Sequence, residues 1–539
     1  MATNKILLDQ AFRDFWQKIE QRKNFAIVRY GDGEHKIMQG VFVKAQEGWV
    51  APNHITKLST ALHASLAVMD ANFHYAISCP CCDQAAYYWY SSRIQNNNIT
   101  FANLFVNKNF IDFEKRFSKL ERDAVVIANH KGINKRIGSL NIIKYYSVSD
   151  NCVKFWEENG ENLIEKIASE FKNKKNLLFL VAAGPLSGPI IANLFQKNPD
   201  NCYIDVGSAV DFYIHDKITR SYQKRNSKYA QKNCWMFDPS DTKFDISVVV
   251  NLYKRPECLE KQLQALENQT LKPTKIMLFH DAVASGEPIT LPSMLKDKFD
   301  IIEVATKNTG VWGRFKFAKQ AKTNYVCVFD DDTIPGNRWL ESCHYQMQHQ
   351  EGLYGANGVI MINPEEYPLN FISFGWKNPN KKLLAVDFVG HSWFFKTKWL
   401  DSLFQAPKSI QELKICGEDM SFSYQLQKVL NLPTYVPPHP SRKYDLYGSL
   451  PGYARKFGST KVALSACKHN TTLYNQAINI LLQQDYKWQT VLQNKQASLK
   501  RICLMHKIIK SICGAIPFSN FRRIARASLL MRLLQKTKN

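Results

Sequence analysis

The stretch Tyr325 to Gly336, YVCVFDDDTIPG, runs apolar and then stops on three consecutive carboxylates, Asp330, Asp331 and Asp332. An apolar run of this length ending on charge predicts a buried strand of a mostly parallel sheet. Such a strand delivers its acids to the carboxyl end of the sheet, where ligands bind in open α/β folds. Three adjacent acids repel one another unless something neutralises them, and a divalent cation is the natural complement. Asp330 and Asp332, two apart, can share a hard ion such as Mg2+ or Mn2+ that also takes phosphate oxygens. A solvated acidic turn, helped by Pro335-Gly336, is the competing reading.

The surroundings of the triplet repeat the strand, turn and helix pattern. Residues 245–251 (DISVVVN) predict an opening strand, followed by Lys254-Arg255-Pro256 and a helix over 257–267. A second strand, 275–280, ends on Asp281. Asn308 to Arg314 (NTGVWGR) leads into the helix before the acidic strand. Downstream come Gly390-His391-Ser392-Trp393-Phe394-Phe395, and then Gly417-Glu418-Asp419 opening another helix.

The first 215 residues carry a separate series. A helix over 8–22 precedes a short buried strand, 25–30, which runs into Gly31-Asp32-Gly33-Glu34 with Arg29 just before it. Asp-Gly alone is a turn signal. Placed after a buried strand, Asp32 and Glu34 can share a cation as Asp330 and Asp332 can, and Gly31 and Gly33 let the backbone approach a phosphate. Further strands near 75–79, 101–106, 124–129, 142–148, 177–183 and 202–206 alternate with helical patterns, which predicts a doubly wound α/β domain. Leu177 to Ala183 ends in Gly184-Pro185-Leu186-Ser187-Gly188-Pro189, either an anion site at a helix start or a turn joining strand to helix. Residues 220–243 are polar, basic and aperiodic, and read as a linker.

A formal charge of +24 and a pI near 9.4 call for an anionic partner or surface. No zinc-finger or RNA-binding signature accompanies the charge, so no nucleic acid is expected. Thirteen cysteines without a spacing framework, behind an opening (MATNKILLDQ) that is no secretory leader, point to a reducing cytosol. Cys79-Pro80-Cys81-Cys82 is the one cluster, and without a second cysteine pair it makes a poor zinc site. No apolar run is long enough to span a membrane. After Asp485 there is no acid but twelve Lys and Arg. Ile502, Met505, Ile508, Ile509 and Ile512, then Phe521, Ile524, Leu529, Leu530, Leu533 and Leu534, recur at helical spacing. Basic amphipathic helices of this kind lie on anionic lipid; the alternative is that their apolar faces pack on the preceding domain.

The order from Asp245 to Pro440 resembles the GT-A-fold nucleotide-sugar glycosyltransferases. The triplet matches their DXD metal motif and Glu418-Asp419 their late acidic pair. The stretch from Arg314 to GHSWFFKTKWLDSLF is most similar to exostosin-like hexosaminyltransferases, and NLYKRPECL to family 2 enzymes. Residues 8–215 resemble the GT-D-fold glycosyltransferases: RYGDGE matches their DXE motif, and LVAAGPLSG with YIDVGS and Asp211 matches later segments.

These resemblances imply two Rossmann-like modules: a GT-D-like domain at 1–219, a linker at 220–243, a GT-A-like domain at 244–470 and a basic helical tail at 471–539. They imply UDP-sugar donors with Mn2+ or Mg2+ held by Asp330 and Asp332 and, in the first module, by Asp32 and Glu34. Arg29, Gly31, Gly33 and Gly184 would bind donor in the first module, and Arg255, Asp281, Arg314, Asp331 and His391 in the second. Asp419 or Glu418, with Asp32 and Glu34 in the other module, would be catalytic. The expected function is a bifunctional enzyme building a bacterial surface polysaccharide, capsule or lipopolysaccharide, on a glycan or lipid-linked glycan acceptor. A single-activity enzyme with a non-catalytic first module is the alternative. Its expected place is cytoplasmic, peripheral on the inner face of the inner membrane through the tail.

Overall fold

The computed structural model describes residues 5–45, 48–238, 244–286, 289–362, 371–458, 470–484, 496–517 and 519–536. The chain divides into two compact units, residues 3–242 and 243–539.

The first unit is built on a seven-stranded sheet. In spatial order the strands are Ile99–Phe101, Phe73–Ile77, Ala26–Tyr30, Cys202–Asp205, Leu178–Ala182, Asp123–Asn129 and Asn141–Val148, all paired in parallel. Strands such as LFLVA and, apart from Arg29, AIVRY are apolar on both faces because helices cover both sides, Asp32–Met38, Lys57–Ser65, Cys152–Glu170 and Ser187–Lys197 among them. Ala26–Tyr30, first in the sheet, lies beside Cys202–Asp205, last in the sheet. The strand order therefore reverses at this pair, and a crevice opens at their carboxyl ends.

Two expectations need correction here. The strand near 101–106 is Ile99–Phe101: its register ends where Phe101 meets Ile77, and the chain then turns, with Leu104 N donating to Phe101 O at 3.0 Å. The expected linker is largely part of the first unit. Trp235–Phe237 pairs antiparallel with Lys5–Leu7, and Tyr222, Cys234, Met236 and Phe237 are buried, Phe237 against Tyr87 and Tyr222 against Phe110. Its aromatic residues, spaced too irregularly to show a period, have enough apolar surface to hold it down.

The second unit is built on a nine-stranded mixed sheet. Ile301–Val304, Lys275–His280, Ile246–Leu252 and Tyr325–Phe329 run parallel. Phe388–Lys396 then pairs antiparallel with Tyr325–Phe329, and Leu353–Met361 antiparallel with Phe388–Lys396. Thr434–Val436 and Leu384–Val386 complete that edge, and Phe371–Gly375 pairs with Leu353–Met361. The sheet is parallel over only half its width, less than expected, and the antiparallel half brings His391 beside the acids.

The basic tail forms helices Gln496–Gly514 and Ser519–Lys536. Ile509, Cys513, Ala527, Leu530 and Leu533 are buried, and Arg523 donates to Trp376 O. Lys487, Lys495 and Lys538 lie outside the described residues.

Candidate active site

Strand Tyr325–Phe329 is buried along its length, and the chain leaves the sheet at Asp330. Gln262, buried on helix Pro256–Glu267, donates from its amide to Asp330 O at 2.7 Å and Thr333 O at 2.9 Å, fixing the turn that carries the acids. The three acids then separate. Asp331 accepts from Arg255 Nη1 at 2.5 Å and from Lys254 N at 3.2 Å. Asp330 Oδ1 lies 3.2 Å from Arg314 Nη2, which also donates to Glu418 Oε1 at 2.8 Å. Asp332 lies 3.9 Å from Arg255 Nη2 and 3.8 Å from His391 Nδ1.

His391 owes its position to a bulge. Gly355 faces Trp393 and Asn357 faces Gly390, so His391 and Ser392 together oppose Ala356 alone. His391 has φ +69°, a strained value for a residue with a Cβ. Bulges re-aim side chains, and this one puts an imidazole next to the acids. Its Nδ1 is buried without a hydrogen-bond partner, since 3.8 Å to Asp332 is too long for one. Oxygens of Asp330 and Asp332 and a ring nitrogen of His391 all lie within 4.8 Å of one another. Ligands about 2.1 Å from an octahedral ion stand about 3 to 4 Å apart, so two carboxylates and an unpartnered imidazole fit a small divalent cation.

Glu418 and Asp419 open helix Glu418–Leu430 behind Gly417, whose φ of +102° and contact with Ile410 leave no room for a Cβ. Asp419 Oδ1 accepts from Met420 N at 2.7 Å, and the helix N-terminus favours both acids. Burial pushes the Asp330 carboxyl up to about 6, with Arg314 pulling against it and Asp332 adding to it. Burial, then the charge of Glu418, raises Asp419 well above the usual carboxylate range. Burial raises Asp331, Glu418 and Asp281, each against a neighbouring arginine. Asp332 is held low: burial works against it, but His391 and Arg255 prevail.

Every residue singled out from sequence in this unit, Arg255, Asp281, Arg314, Asp330, Asp331, Asp332, His391, Glu418 and Asp419, lines one cleft of about 910 Å³. Six of the nine are carboxylic acids, and three of these, Asp330, Asp331 and Asp332, are consecutive at the end of one strand. Sequence reasoning missed Lys377, Arg455 and Tyr474 in the same wall. Tyr474 sits on helix Asn470–Leu482, so the stretch expected to open the tail contributes to the cleft. None of the three stands in a pattern that marks it.

The first unit treats its acids differently. Asp32 opens helix Asp32–Met38, its side chain 75% exposed and 3.5 Å from Lys36. Glu34 is half-buried and its Oε2 accepts from Gly31 N at 2.9 Å, one half of a capping box, since Gly31 has no side chain to return the bond. Glu34 therefore lies within electrostatic reach of Asp205 and Arg29, while Asp32 faces solvent. Asp205, missed as a site residue, accepts from Arg29 N at 3.1 Å and from Gly207 N at 3.0 Å. Burial pushes Asp205 and Asp211 up to about 6 each. The space expected for phosphate beside Gly33 and Gly184 is next to Trp49, whose ring lies 3.3 Å from where a Gly33 Cβ would stand and 3.9 Å from that of Gly184.

The sequence profile of Glycosyl transferase family 2 matches residues 247–404, the span that holds most of the cleft's acids and arginines. The second unit carries a glycosyl transferase family 2 match. The kinship read from NLYKRPECL is borne out, and the α/β class holds for both units. No curated protein sequence matches the chain. Similar solved structures include a domain of unknown function 1792, described as having a distinct glycosyltransferase fold, at 15% identity over 42% of this chain and 87% of that one, with a TM-score of 0.27. Staphylococcus aureus TarS is 14% identical over 55% of each chain, with a TM-score of 0.25. TarS 1–349 in complex with UDP is 14% identical over 54% of this chain and 90% of that one, with a TM-score of 0.26.

Proposed function

We propose that the second unit transfers a sugar from a nucleotide donor, a UDP-sugar, to a hydroxyl of a glycan or lipid-linked glycan acceptor in the assembly of a bacterial surface polysaccharide. The observation that carries this is the convergence of Asp330, Asp332 and His391 with Arg255, Arg314 and the Glu418–Asp419 pair in one cleft of a family 2 domain. A cleft of about 910 Å³ is large enough for a nucleotide sugar, near the top of the roughly 300–1,000 Å³ range of small-molecule sites.

Asp330, Asp332 and His391 would hold Mn2+ or Mg2+, which when bound would neutralise charge on the diphosphate leaving group. Arg314, buried and tied to both Asp330 and Glu418, couples the metal side of the cleft to the acceptor side. Asp419, beside Glu418 in the wall of the cleft, is placed to accept the acceptor's proton as general base. Asp281 and Asn251, at the carboxyl ends of neighbouring strands, face the nucleotide end of the cleft. The test is a panel of UDP-sugars with the full chain and Mn2+, reading UDP release and product linkage. Transfer undiminished by EDTA would remove the metal from this account.

The first unit supports two readings. Arg29, Glu34, Asp205 and Asp211 gather near the strand-order reversal, which favours a second transfer and so a bifunctional enzyme. Trp49 beside both glycines favours a non-catalytic module. Trp49→Ala in an Asp332→Ala background separates them. Donor hydrolysis that rises and then disappears with Glu34→Gln supports the second activity; no donor binding at all supports the scaffold.

The tail's outer residues Leu504, Met505, Ile508, Ile512 and Phe521 are exposed among Lys507, Lys510 and Arg532, a surface suited to anionic lipid at the inner face of the membrane. No helix among the described residues is long and apolar enough to cross a membrane. Replacing Leu504, Ile508, Ile512 and Phe521 by Ser is expected to move the protein from vesicle-bound to free in flotation assays with anionic liposomes. Unchanged binding would refute the role of this face.

A further inference from the structure

The CPCC cluster, a poor metal site on sequence alone, gains a fourth cysteine in the fold. Cys79 follows strand Phe73–Ile77, and Cys81 and Cys82 lie in the turn before helix Gln84–Ser91. The turn is tight, with Cys82 N and Asp83 N both donating to Cys79 O at 3.0 Å. Cys234 arrives from about 150 positions later in the chain, immediately before strand Trp235–Phe237. The Sγ atoms of all four lie within 4.8 Å of one another. Cys79 and Cys81 are 3.4 Å apart, Cys82 and Cys234 are 3.7 Å apart, and all four are free thiols.

We propose that Cys79, Cys81, Cys82 and Cys234 form a structural tetrathiolate site for zinc. Four sulfurs about 2.3 Å from a tetrahedral zinc stand about 3.8 Å apart, which matches these separations. Four thiolates around Zn2+ leave a net charge of −2, and the surroundings supply what that charge needs. Lys232 Nζ lies 3.0 Å from Cys82 Sγ, and Asn103 Nδ2 donates to Cys234 Sγ at 2.9 Å. Metal-bound sulfurs are held and tuned by such outer contacts. With four protein ligands the site has no open position, so it binds structure together and does no chemistry.

What it joins is informative. Cys234 O accepts from Leu8 N at 2.9 Å, and the strand that follows pairs with Lys5–Leu7. The metal thus clamps the last segment of the first unit to the carboxyl end of its sheet. The end of this segment, Trp235–Phe237, packs as a strand where the sequence expected a linker, and zinc supplies a reason. Neither the site nor its role depends on what the acidic cleft of the second unit does.

The test uses the full chain, purified in reductant without chelator. About one zinc per chain is expected by elemental analysis, retained through EDTA dialysis and released by a mercurial that titrates the thiols. Cobalt in place of zinc is expected to give the intense visible bands and the thiolate charge-transfer band of a tetrahedral sulfur site. Cys234→Ser and Cys82→Ser are expected to lose the metal, and Asp332→Ala with His391→Ala to keep it, which separates this site from the cleft. Should the cysteine variants fail to fold, wild-type zinc content and the cobalt spectrum decide alone. A folded wild-type chain with far less than one zinc, or with a Cys82–Cys234 disulfide and no metal, would overturn the proposal.

Discussion

Each unit has a central buried strand that ends on acids two residues apart, Asp32 and Glu34 in one and Asp330 and Asp332 in the other, yet the fold puts the two pairs to different uses. In the second unit both acids turn into a cleft, because an antiparallel strand with a bulge sets His391 opposite them and two buried arginines hold the neighbouring carboxylates. In the first unit the chain enters a helix at once, so one acid caps it and the other reaches solvent. The partner of a strand's last residue, more than the strand itself, decides whether its acids form a site.

The largest effect expected from this difference is at Asp332. Asp332→Ala should lower sugar transfer by the second unit by about a thousandfold, since a metal contributes several kcal/mol to a phosphate leaving group, while the chain still folds. Asp32→Ala in the same assay should change it less than about twofold. Equal losses from the two substitutions, read as UDP release with Mn2+, would erase the contrast between the units. Next in size is Asp419→Asn, expected to lower kcat about a hundredfold or more with little change in the KM for donor. A loss confined to donor KM would move Asp419 to the donor side of the cleft.

Much of this was legible beforehand, and what was not has a common cause. Strand Lys275–His280, strand Tyr325–Phe329 and the helix at Glu418 follow from local apolar runs and their punctuation, and the acids at their ends line one cleft as their order implied. Invisible in the sequence were facts set by distant pairing: the bulge that turns His391, the four residues CPCC meeting Cys234, and Trp49 settling beside Gly33 and Gly184. Tyr474 belongs with these, since nothing local in NTTLYNQ connects it to an acid at 419. Periodicity reports which face of an element is buried, not what will lie against it.

A smaller effect separates the units by pH. Burial holds Asp205 and Asp211 at about 6, against an ordinary value of 3.8. Between about pH 4 and 6 the folded first unit therefore binds protons that the unfolded chain has released, and stability falls as pH rises through that window. For the fully buried Asp205 the cost of ionisation is about 3 kcal/mol at most. Asp205→Asn should flatten this part of the stability curve in thermal melts from pH 4 to 7, and added Mn2+ should leave it unchanged. A slope that Mn2+ abolishes would mean that the first unit's carboxylates bind the ion after all.

The smallest effect lies within the DGE motif itself. Glu34 is half-buried and accepts from Gly31 N at the start of its helix, so Glu34→Ala should destabilise the chain by about 1 kcal/mol, in the usual range for a lost helix cap. Asp32, mostly exposed and only loosely paired with Lys36, should cost less than about 0.5 kcal/mol when changed to Ala, as surface substitutions do. Glu34→Gln keeps the acceptor oxygen and should recover most of the loss, which distinguishes a capping role from a need for charge. If instead Gln is as damaging as Ala and Asp32→Ala matches both, the two acids act together through a shared cation. The first unit would then resemble the second in its chemistry, and its exposed Asp32 would have to swing inward when the ion binds.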